Sequence, residues 1–221
     1  MSNIGSKAIY MSLQQLLIIF YQRKVDGILM PDAISEVEAG DRQLKEAMAK
    51  MIGDGLLVPD KSGQLALSED AREIADIIAG AARIYHIGNG AMPQQFLYEK
   101  DGRGVLMNLD TMNSERARLE IGDARELIEN ITDYEGMPAK EQTGEAAAAE
   151  EIPADKPMEE VLDIPEVVTV VDRYLRGAEK AQLRVVVREG EPFTITATGE
   201  GNTPKVYDKE LFVRFLTEEQ K

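Results

Sequence analysis

The apolar residues of this 221-residue chain change their spacing near Arg83. Before that point they recur every three or four residues, which is the spacing of one face of a helix. After it they alternate with polar residues, as in strands that are buried on one side. Helices followed by alternating segments are typical of proteins in which helices and sheet are segregated along the chain. We therefore predict an α+β fold in which a helical module precedes an antiparallel sheet with helices.

The predicted helical module covers residues 1–82. Ser12 and Gln15 have the spacing of a capping box, which predicts the start of a helix. One face of this helix would carry Leu13, Leu16, Leu17 and Phe20. A second helix is predicted over residues 41–52, where the apolar residues again form a stripe.

A hairpin and a further helix complete this module. The short apolar runs at residues 56–58 and 65–67 flank a turn, which predicts two paired strands. Ser68, followed by two acidic residues, predicts the N-cap of the next helix. Helix, helix, hairpin and helix are the outline of a winged helix, so the module is predicted to be winged-helix-like.

A sheet and a helix are predicted over residues 83–133. The strands are expected near residues 84–87, 96–98, 105–109 and 117–121. In the last of them apolar and charged residues alternate strictly, which indicates an antiparallel sheet with one solvated side. Asp123, three residues before Glu126, predicts the cap of the helix that follows.

Residues 134–160 are predicted to be a mobile acidic linker. The stretch contains several prolines, four consecutive alanines and many glutamates, and it has no apolar periodicity. Such a composition has too little apolar surface to offset the entropy of ordering. A short Ala/Glu helix within the linker is the alternative.

The apolar pattern returns in residues 161–221. Asp163 and Glu166 have the spacing of a cap, and they predict a helix that carries Val167, Val168, Val171, Tyr174 and Leu175 and ends at Gly177. Strands at 183–187, 193–197 and 205–207 and a last helix after Asp208 follow. The element order matches that of the first half. A pseudo-two-fold repeat whose two small sheets combine is therefore predicted, with coincidence as the alternative.

The chain offers few residues for catalysis or metal binding. Cysteine is absent, and His86, the only histidine, lies in a strand-like run where a structural role is expected. Nucleophile–histidine catalysis and cysteine- or histidine-rich metal sites are thereby excluded. The glycine pairs at 88/90, 102/104 and 199/201 are expected in hairpin turns, because none has the strand-to-helix setting of a phosphate loop. We predict no enzymatic activity, metal or cofactor, although a glycosidase-like carboxylate pair stays open.

A formal net charge of −15 limits the classes of partner. Phosphate backbones and anionic lipids repel such a chain, so neither nucleic acid nor a membrane surface is expected as a partner. The acidity indicates solubility, with attraction of a basic partner as the alternative. The helix at 41–52, which would enter DNA in a winged helix, has three cations offset by Asp41 and Glu46. A winged-helix transcriptional regulator is therefore the alternative function.

The N-terminal apolar run at residues 13–20 is interrupted by two glutamines, and Gln22-Arg23-Lys24 follows it closely. This pattern favours an amphipathic helix over a signal peptide. No other segment approaches the roughly 20 apolar residues of a membrane span. Together with the absence of cysteine, these features predict a soluble, cytoplasmic protein.

The order of these elements resembles that of the EspG-type cytosolic chaperones of type VII (ESX) secretion and their distant Gram-positive relatives. The resemblance rests on the helix at Leu13, the run Gly55-Leu56-Leu57 with its turn at Gly63, the capped helix over 68–82, the hairpin-rich sheet and the helix near Asp123. It covers about residues 11–133, and a looser match covers 163–220.

The resemblance implies an α+β fold with two quasi-symmetric subdomains and a partner that is the helical tip of a secreted substrate pair. We therefore predict a non-enzymatic protein-binding function, as a chaperone or adaptor for type VII secretion substrates. An apolar patch ringed by polar residues would mark the docking site. Met92 and Phe96, which flank a turn, are the predicted partner-binding residues, with a place in the core as the alternative for both.

Overall fold

The computed structural model describes residues 7–25, 28–37, 40–89, 92–109, 116–131, 152–164, 167–176, 179–188, 191–207 and 209–217. These residues form helices and a large antiparallel sheet, which confirms the predicted α+β class. Apolar side chains of the helices cover both faces of that sheet.

The N-terminal part begins with the strand β1 (Lys7–Ser12) and continues through α1 (Leu13–Arg23), α2 (Asp32–Ser35), α3 (Asp41–Gly53) and α4 (Glu69–Ala79). The predicted capping box is present. The Ser12 hydroxyl accepts a hydrogen bond from the N–H of Gln15 at 3.2 Å, and Gln15 Oε1 accepts one from the N–H of Ser12 at 2.8 Å. Ser68 caps α4 as predicted, because its hydroxyl accepts from the N–H of Ala71.

Two sheets contain the strands of the described residues. The small one is the predicted hairpin, in which β2 (Leu57–Pro59) pairs with β3 (Leu65–Leu67). The large one contains β1 and, in chain order, β4 (Arg83–Asn89), β5 (Met92–Lys100), β6 (Arg103–Leu109), β7 (Arg116–Asp123), β8 (Val167–Leu175), β9 (Ala181–Arg188), β10 (Glu191–Thr198) and β11 (Gly201–Val206). Its order is β1-β7-β6-β5-β4-β8-β9-β10-β11, and every neighbouring pair is antiparallel.

The two predicted sheets combine at the β4–β8 pair. This pairing runs without interruption from Arg83 opposite Leu175 to Asn89 opposite Thr169. On one side of it lies the meander β4 to β7, and on the other lies the meander β8 to β11. β1 adds a strand beside β7, so residues 7–12 of the predicted helical module belong to the sheet.

Different helices cover the two faces of the sheet. On the first face, α1 and α4 pack against strands β1 and β4 to β7, with Leu16, Ile19, Ile74, Ile78, Tyr98 and Leu119 in the core. On the second face lie α5 (Ala124–Ile131) and α7 (Lys209–Thr217). Asp123 caps α5 as predicted, because its carboxylate accepts from the N–H of Arg125 at 3.0 Å. The predicted cap of the last helix, Asp208, lies outside the described residues.

β11 forms one edge of the sheet. The N–H of Tyr207, just after β11, donates to the carbonyl of Pro192 at 3.1 Å. Odd-numbered residues of β11 therefore direct their main-chain groups to β10, and even-numbered residues direct theirs to solvent. Pro204 is even-numbered and has no N–H, and Lys205 beside it is exposed. Both features oppose pairing of this edge with the strand of another chain.

The prediction of a helix after Asp163 is wrong. Residues Val167–Leu175 form strand β8, which lies in the middle of the sheet between β4 and β9. Its first seven residues are buried, so both faces of the strand contact protein. A strand buried on both sides has no alternation of apolar and polar residues, and its apolar residues fit a helical stripe by chance.

The end of the predicted linker is ordered and packed. Residues 132–151, and with them most of the linker, lie outside the described residues. Residues 152–164, here called the strap, include the helix α6 (Met158–Leu162) and cross the first face of the sheet. The linker assignment is therefore wrong for 152–160, because Ala154 and Met158 contribute apolar side chains to the core.

Candidate partner-binding surface

A cleft of about 400 Å³ opens on the first face of the sheet, between the helical part and the β4–β8 pair. Its wall includes the apolar residues Val25, Ile28, Leu29, Ile84 and Tyr174. Two cationic residues, Lys24 and Arg176, also line it. The cleft therefore combines an apolar wall with positive charge, on a protein that is acidic overall.

Main-chain bonds hold the wall of the cleft in place. Lys24 adopts the left-handed conformation (φ 53°), which ends α1 and turns the chain towards Val25. The N–H of Val25 donates to the carbonyl of Phe20 at 2.9 Å. The Tyr98 hydroxyl reaches from β5 and donates to the carbonyl of Leu29 at 3.1 Å. Burial raises the pKa of Tyr98, so this donor keeps its proton at neutral pH.

A buried polar network lies on the same face, farther into the second meander. Gln182 donates to Asp172 at 2.7 Å, and Arg184 donates to the side-chain oxygen of Gln182 at 2.7 Å. Lys180 contacts the second Asp172 oxygen at 3.3 Å. The Tyr174 hydroxyl lies 3.4 Å from that same oxygen. The network thus joins β8 to β9 and extends to the edge of the cleft.

Burial dominates the electrostatics of this network. Desolvation lowers the pKa of Arg184 to about 10, and the charge of Asp172 opposes this shift. Desolvation, and then the charge of Asp172, raise the pKa of the Tyr174 hydroxyl. At neutral pH the guanidinium therefore stays charged and the phenol stays protonated. Arg184 also donates to the carbonyl of Pro153 at 2.9 Å, so this buried cation contacts residues before α6.

The two predicted partner-binding residues have different positions. Phe96 is 3% exposed and stacks on His86, with ring centroids 4.3 Å apart. The structure thus gives Phe96 the alternative role, a place in the core, because its ring belongs to the buried apolar cluster on the first face of the sheet. Met92 is the first residue of β5 and pairs with Asn89, and its side chain lies outside the described residues.

His86 and some of the glycines lie where the sequence predicts them, and other glycines do not. His86 lies in β4 and stacks on an aromatic ring, which agrees with a structural role. Gly102 (φ 77°) lies in the turn between β6 and its neighbour β5, as predicted, and Gly201 (φ 121°) follows the turn between β10 and β11. The expectation is wrong for Gly88, which lies inside β4, and for Gly104, which lies inside β6.

Four apolar side chains are exposed on the outer side of α3 and the hairpin. Met48 and Ile52 of α3, and Val58 and Leu65 of the hairpin, are each between 38% and 48% exposed. Arg42, a cation that a DNA complex would need, donates to Glu46 at 2.8 Å. Within the predicted stripe of α3, Met51 is buried, and Met48 and Ile52 at its margin are exposed.

Neither a metal site nor a membrane span is found in the described part of the chain. No group of three or more histidine, aspartate or glutamate side chains is arranged there to hold a metal ion. No helix among those residues is long and apolar enough to cross a membrane.

No protein-family model and no curated protein sequence matches the chain. A solved structure does: the Mycobacterium tuberculosis type VII secretion system chaperone EspG5, in complex with a PE25–PPE41 dimer. The TM-score is 0.54, and the match covers 94% of this chain and 93% of EspG5 at 11% sequence identity. The fold is EspG-like. The predicted resemblance is confirmed at the level of the fold, and the match extends well beyond residues 11–133.

Proposed function

We propose that the chain is a cytosolic, non-enzymatic chaperone or adaptor that binds a pair of helical secreted proteins of type VII secretion. The observation that carries this proposal is the similarity of fold to EspG5 over 94% of the chain. EspG5 was solved in complex with the PE25–PPE41 dimer, which supports a protein pair as the kind of partner.

We further infer that the two meanders are a pseudo-two-fold repeat. Each has four antiparallel strands in chain order, and each is followed by a helix on the second face, α5 after β7 and α7 after β11. The axis of such a repeat would pass through the β4–β8 pair. The order of α1, α3, the hairpin and α4 likewise supports a winged-helix-like module.

The cleft is the surface that best fits a helical partner. Its apolar wall would contact the apolar tip of a helical pair, and burial of that tip would supply the favourable free energy of binding. Lys24 and Arg176 would contact carboxylates or helix C-terminal carbonyls of the partner. Ile84 in the cleft and Met92 lie at opposite ends of the β4–β5 hairpin, so variants at the two ends separate two possible surfaces.

The test is a titration of the purified chain with a helical secreted pair from the same genome. Leu29→Asp places a charge in the cleft at a side chain that is already 36% exposed, so the fold should persist. Its affinity should fall at least tenfold, because the charge would be buried without a partner. Tyr21→Asp, on the 88% exposed Tyr21 of α1, is the matched control and should bind as the parent does.

The outcomes of this titration differ for the surface and for the function. Loss of binding in Met92→Asp with full binding in Leu29→Asp would move the surface to the other end of the hairpin, as the sequence predicted. Absence of any complex with the parent chain would contradict the proposed function itself.

The alternative function is a winged-helix regulator, supported by the element order of the N-terminal part. A gel shift with random duplex at low salt tests it. Because Arg42 is paired with Glu46 and the chain has a formal net charge of −15, we expect no binding at micromolar protein. Salt-sensitive binding with a steep slope would favour the regulator.

A further inference from the structure

The strap lies on the same face of the sheet as α1 and α4, but over the second meander. Its helix α6 buries Met158 and Val161, which are 2% and 0% exposed. Leu162 is also packed there, so the apolar residues occur at positions i, i+3 and i+4 of one helical stripe. The strap therefore contains a short amphipathic helix, α6, which packs into a groove of the sheet.

Gly88 makes room for this helix. A Cβ atom on Gly88 would lie 2.3 Å from Met158 Sδ and 2.9 Å from Leu162 Cδ1. At distances this short, the ends of the Met158 and Leu162 side chains would have to shift before any side chain fits at that position while α6 is in place. The groove in β4 and β8 is thus shaped for the close approach of a helix.

Three hydrogen bonds from the second meander reach main-chain carbonyls of the strap. Arg184 donates to the carbonyl of Pro153 at 2.9 Å, Lys180 to that of Lys156 at 3.0 Å, and Asn202 to that of Ile152 at 3.1 Å. These donors therefore recognise the main chain of the turn that precedes the helix, and main-chain carbonyls are present in every sequence.

The strap covers apolar sheet surface that no other described element covers. The hydrophobic cluster on this side combines strap residues with strands β8 to β10 alone, and Val170, Val186 and Ile195 within it are fully buried. The strap contributes no strand, so its departure would leave the described strands paired. An apolar surface would then be open to a partner.

We propose that this groove is a binding site for a partner's amphipathic helix, and that the strap is the internal occupant which that helix displaces. The partner segment would be a turn followed by a helix with apolar residues at i, i+3 and i+4. This inference rests on the proposed function, because it assigns a second contact to the same helical partner. The strap competes at the high effective concentration of a tethered segment, so only a partner held elsewhere on the protein would displace it readily.

The first test uses a fluorescein-labelled synthetic peptide with the sequence of residues 152–164. The full chain should bind it weakly, because its own strap fills the groove. Val161→Asp removes the apolar anchor from the internal strap and should strengthen peptide binding at least tenfold. Val58→Asp, the same change at an exposed residue, should leave peptide binding unchanged. Adding Gly88→Val to Val161→Asp should abolish binding, because the new side chain fills the groove.

Hydrogen exchange on the unaltered chain provides a second test that needs no variant. The Val161 N–H, which bonds to the carbonyl of Pro157, should exchange at least a hundredfold faster than the amides of β8 and β9. Equal protection of strap and strands would overturn the proposal, since the strap would then be a fixed part of the core. So would a folded Val161→Asp chain that fails to bind the peptide.

Hydrogen exchange measured in the presence of the helical pair distinguishes displacement of the strap from the proposed chaperone function. Faster exchange of the strap in the complex supports displacement. A complex in which the strap stays protected overturns displacement and leaves the proposed function standing. If no complex forms, the proposed function fails, and the peptide assay still decides whether the groove accepts a helix.

Discussion

The hydroxyl of Tyr85 joins the two halves of the sheet's second face. Tyr85 lies in β4, and its hydroxyl donates to the main-chain carbonyl of Leu216 in α7, the helix that follows the second meander. Both residues are buried, and burial raises the pKa of the phenol, so the donor keeps its proton. Tyr85→Phe keeps the ring and removes one donor. A buried carbonyl deprived of its partner costs about 1–3 kcal/mol of the free energy of unfolding.

Thermal unfolding followed by circular dichroism measures this cost. For a chain of this length each kcal/mol lowers Tm by about 2–4 °C, so we expect a decrease of about 2–12 °C. Tyr21→Phe is the matched control, because the Tyr21 side chain is exposed and the same atom is removed. Its Tm should stay within about 1–2 °C of the parent, as expected for a surface change. Equal Tm values for the two variants would refute the docking of α7 on β4.

Four further predictions concern other parts of the fold. Gly104→Ala places a Cβ 3.0 Å from a methyl of Leu127 in α5, so calorimetry should show a loss of about 1–3 kcal/mol. Gly53→Ala, whose Cβ meets nothing within 4 Å, should instead gain about 0.4–1 kcal/mol. Pro204→Val restores an outward N–H on β11, and light scattering should detect self-association that the parent lacks. The Ser62 hydroxyl, followed by nearby backbone N–H groups, lowers the pKa of Asp60. The folded hairpin therefore gains stability above the ordinary carboxyl pKa and loses it as pH falls through the lowered value. Amide chemical shifts of the hairpin should report that transition, and Asp60→Asn should abolish it.

Local signals in the sequence predicted most of the elements. The Ser12–Gln15 capping box, the Ser68 cap and the Asp123 cap are each formed by residues that are neighbours in the chain. Such contacts depend little on the rest of the fold. The alternation in β7 was equally informative, because one of its faces is more exposed than the other.

Elements whose environment is set by distant residues could not be predicted in this way. β8 is buried on both faces by α6 and by the helices of the second face, so its sequence shows no alternation. β1 was not predicted, because it becomes a strand only by pairing with β7, more than a hundred residues later. The strap was assigned to the linker, because Met158 and Val161 are too few to show a period.

The candidate surface also depends on residues that are distant in the chain. The cleft combines Lys24 and Leu29 with Ile84 of β4 and Tyr174 of β8, and only the sheet order brings these residues together. Phe96 was considered for the surface because it flanks a turn, yet its position in β5 places the ring in the buried cluster of the first face. A sequence shows which side chains are apolar, and the register of the strands decides which of them reach solvent.

The most direct test of the proposed function is the mass of the species that the purified chain forms with a helical secreted pair from the same genome. Size-exclusion chromatography with light scattering at micromolar concentrations measures it. We expect one species that contains one chain and one pair, since EspG5 was solved with a PE25–PPE41 dimer. Separate elution of the chain and a folded pair would contradict the chaperone function.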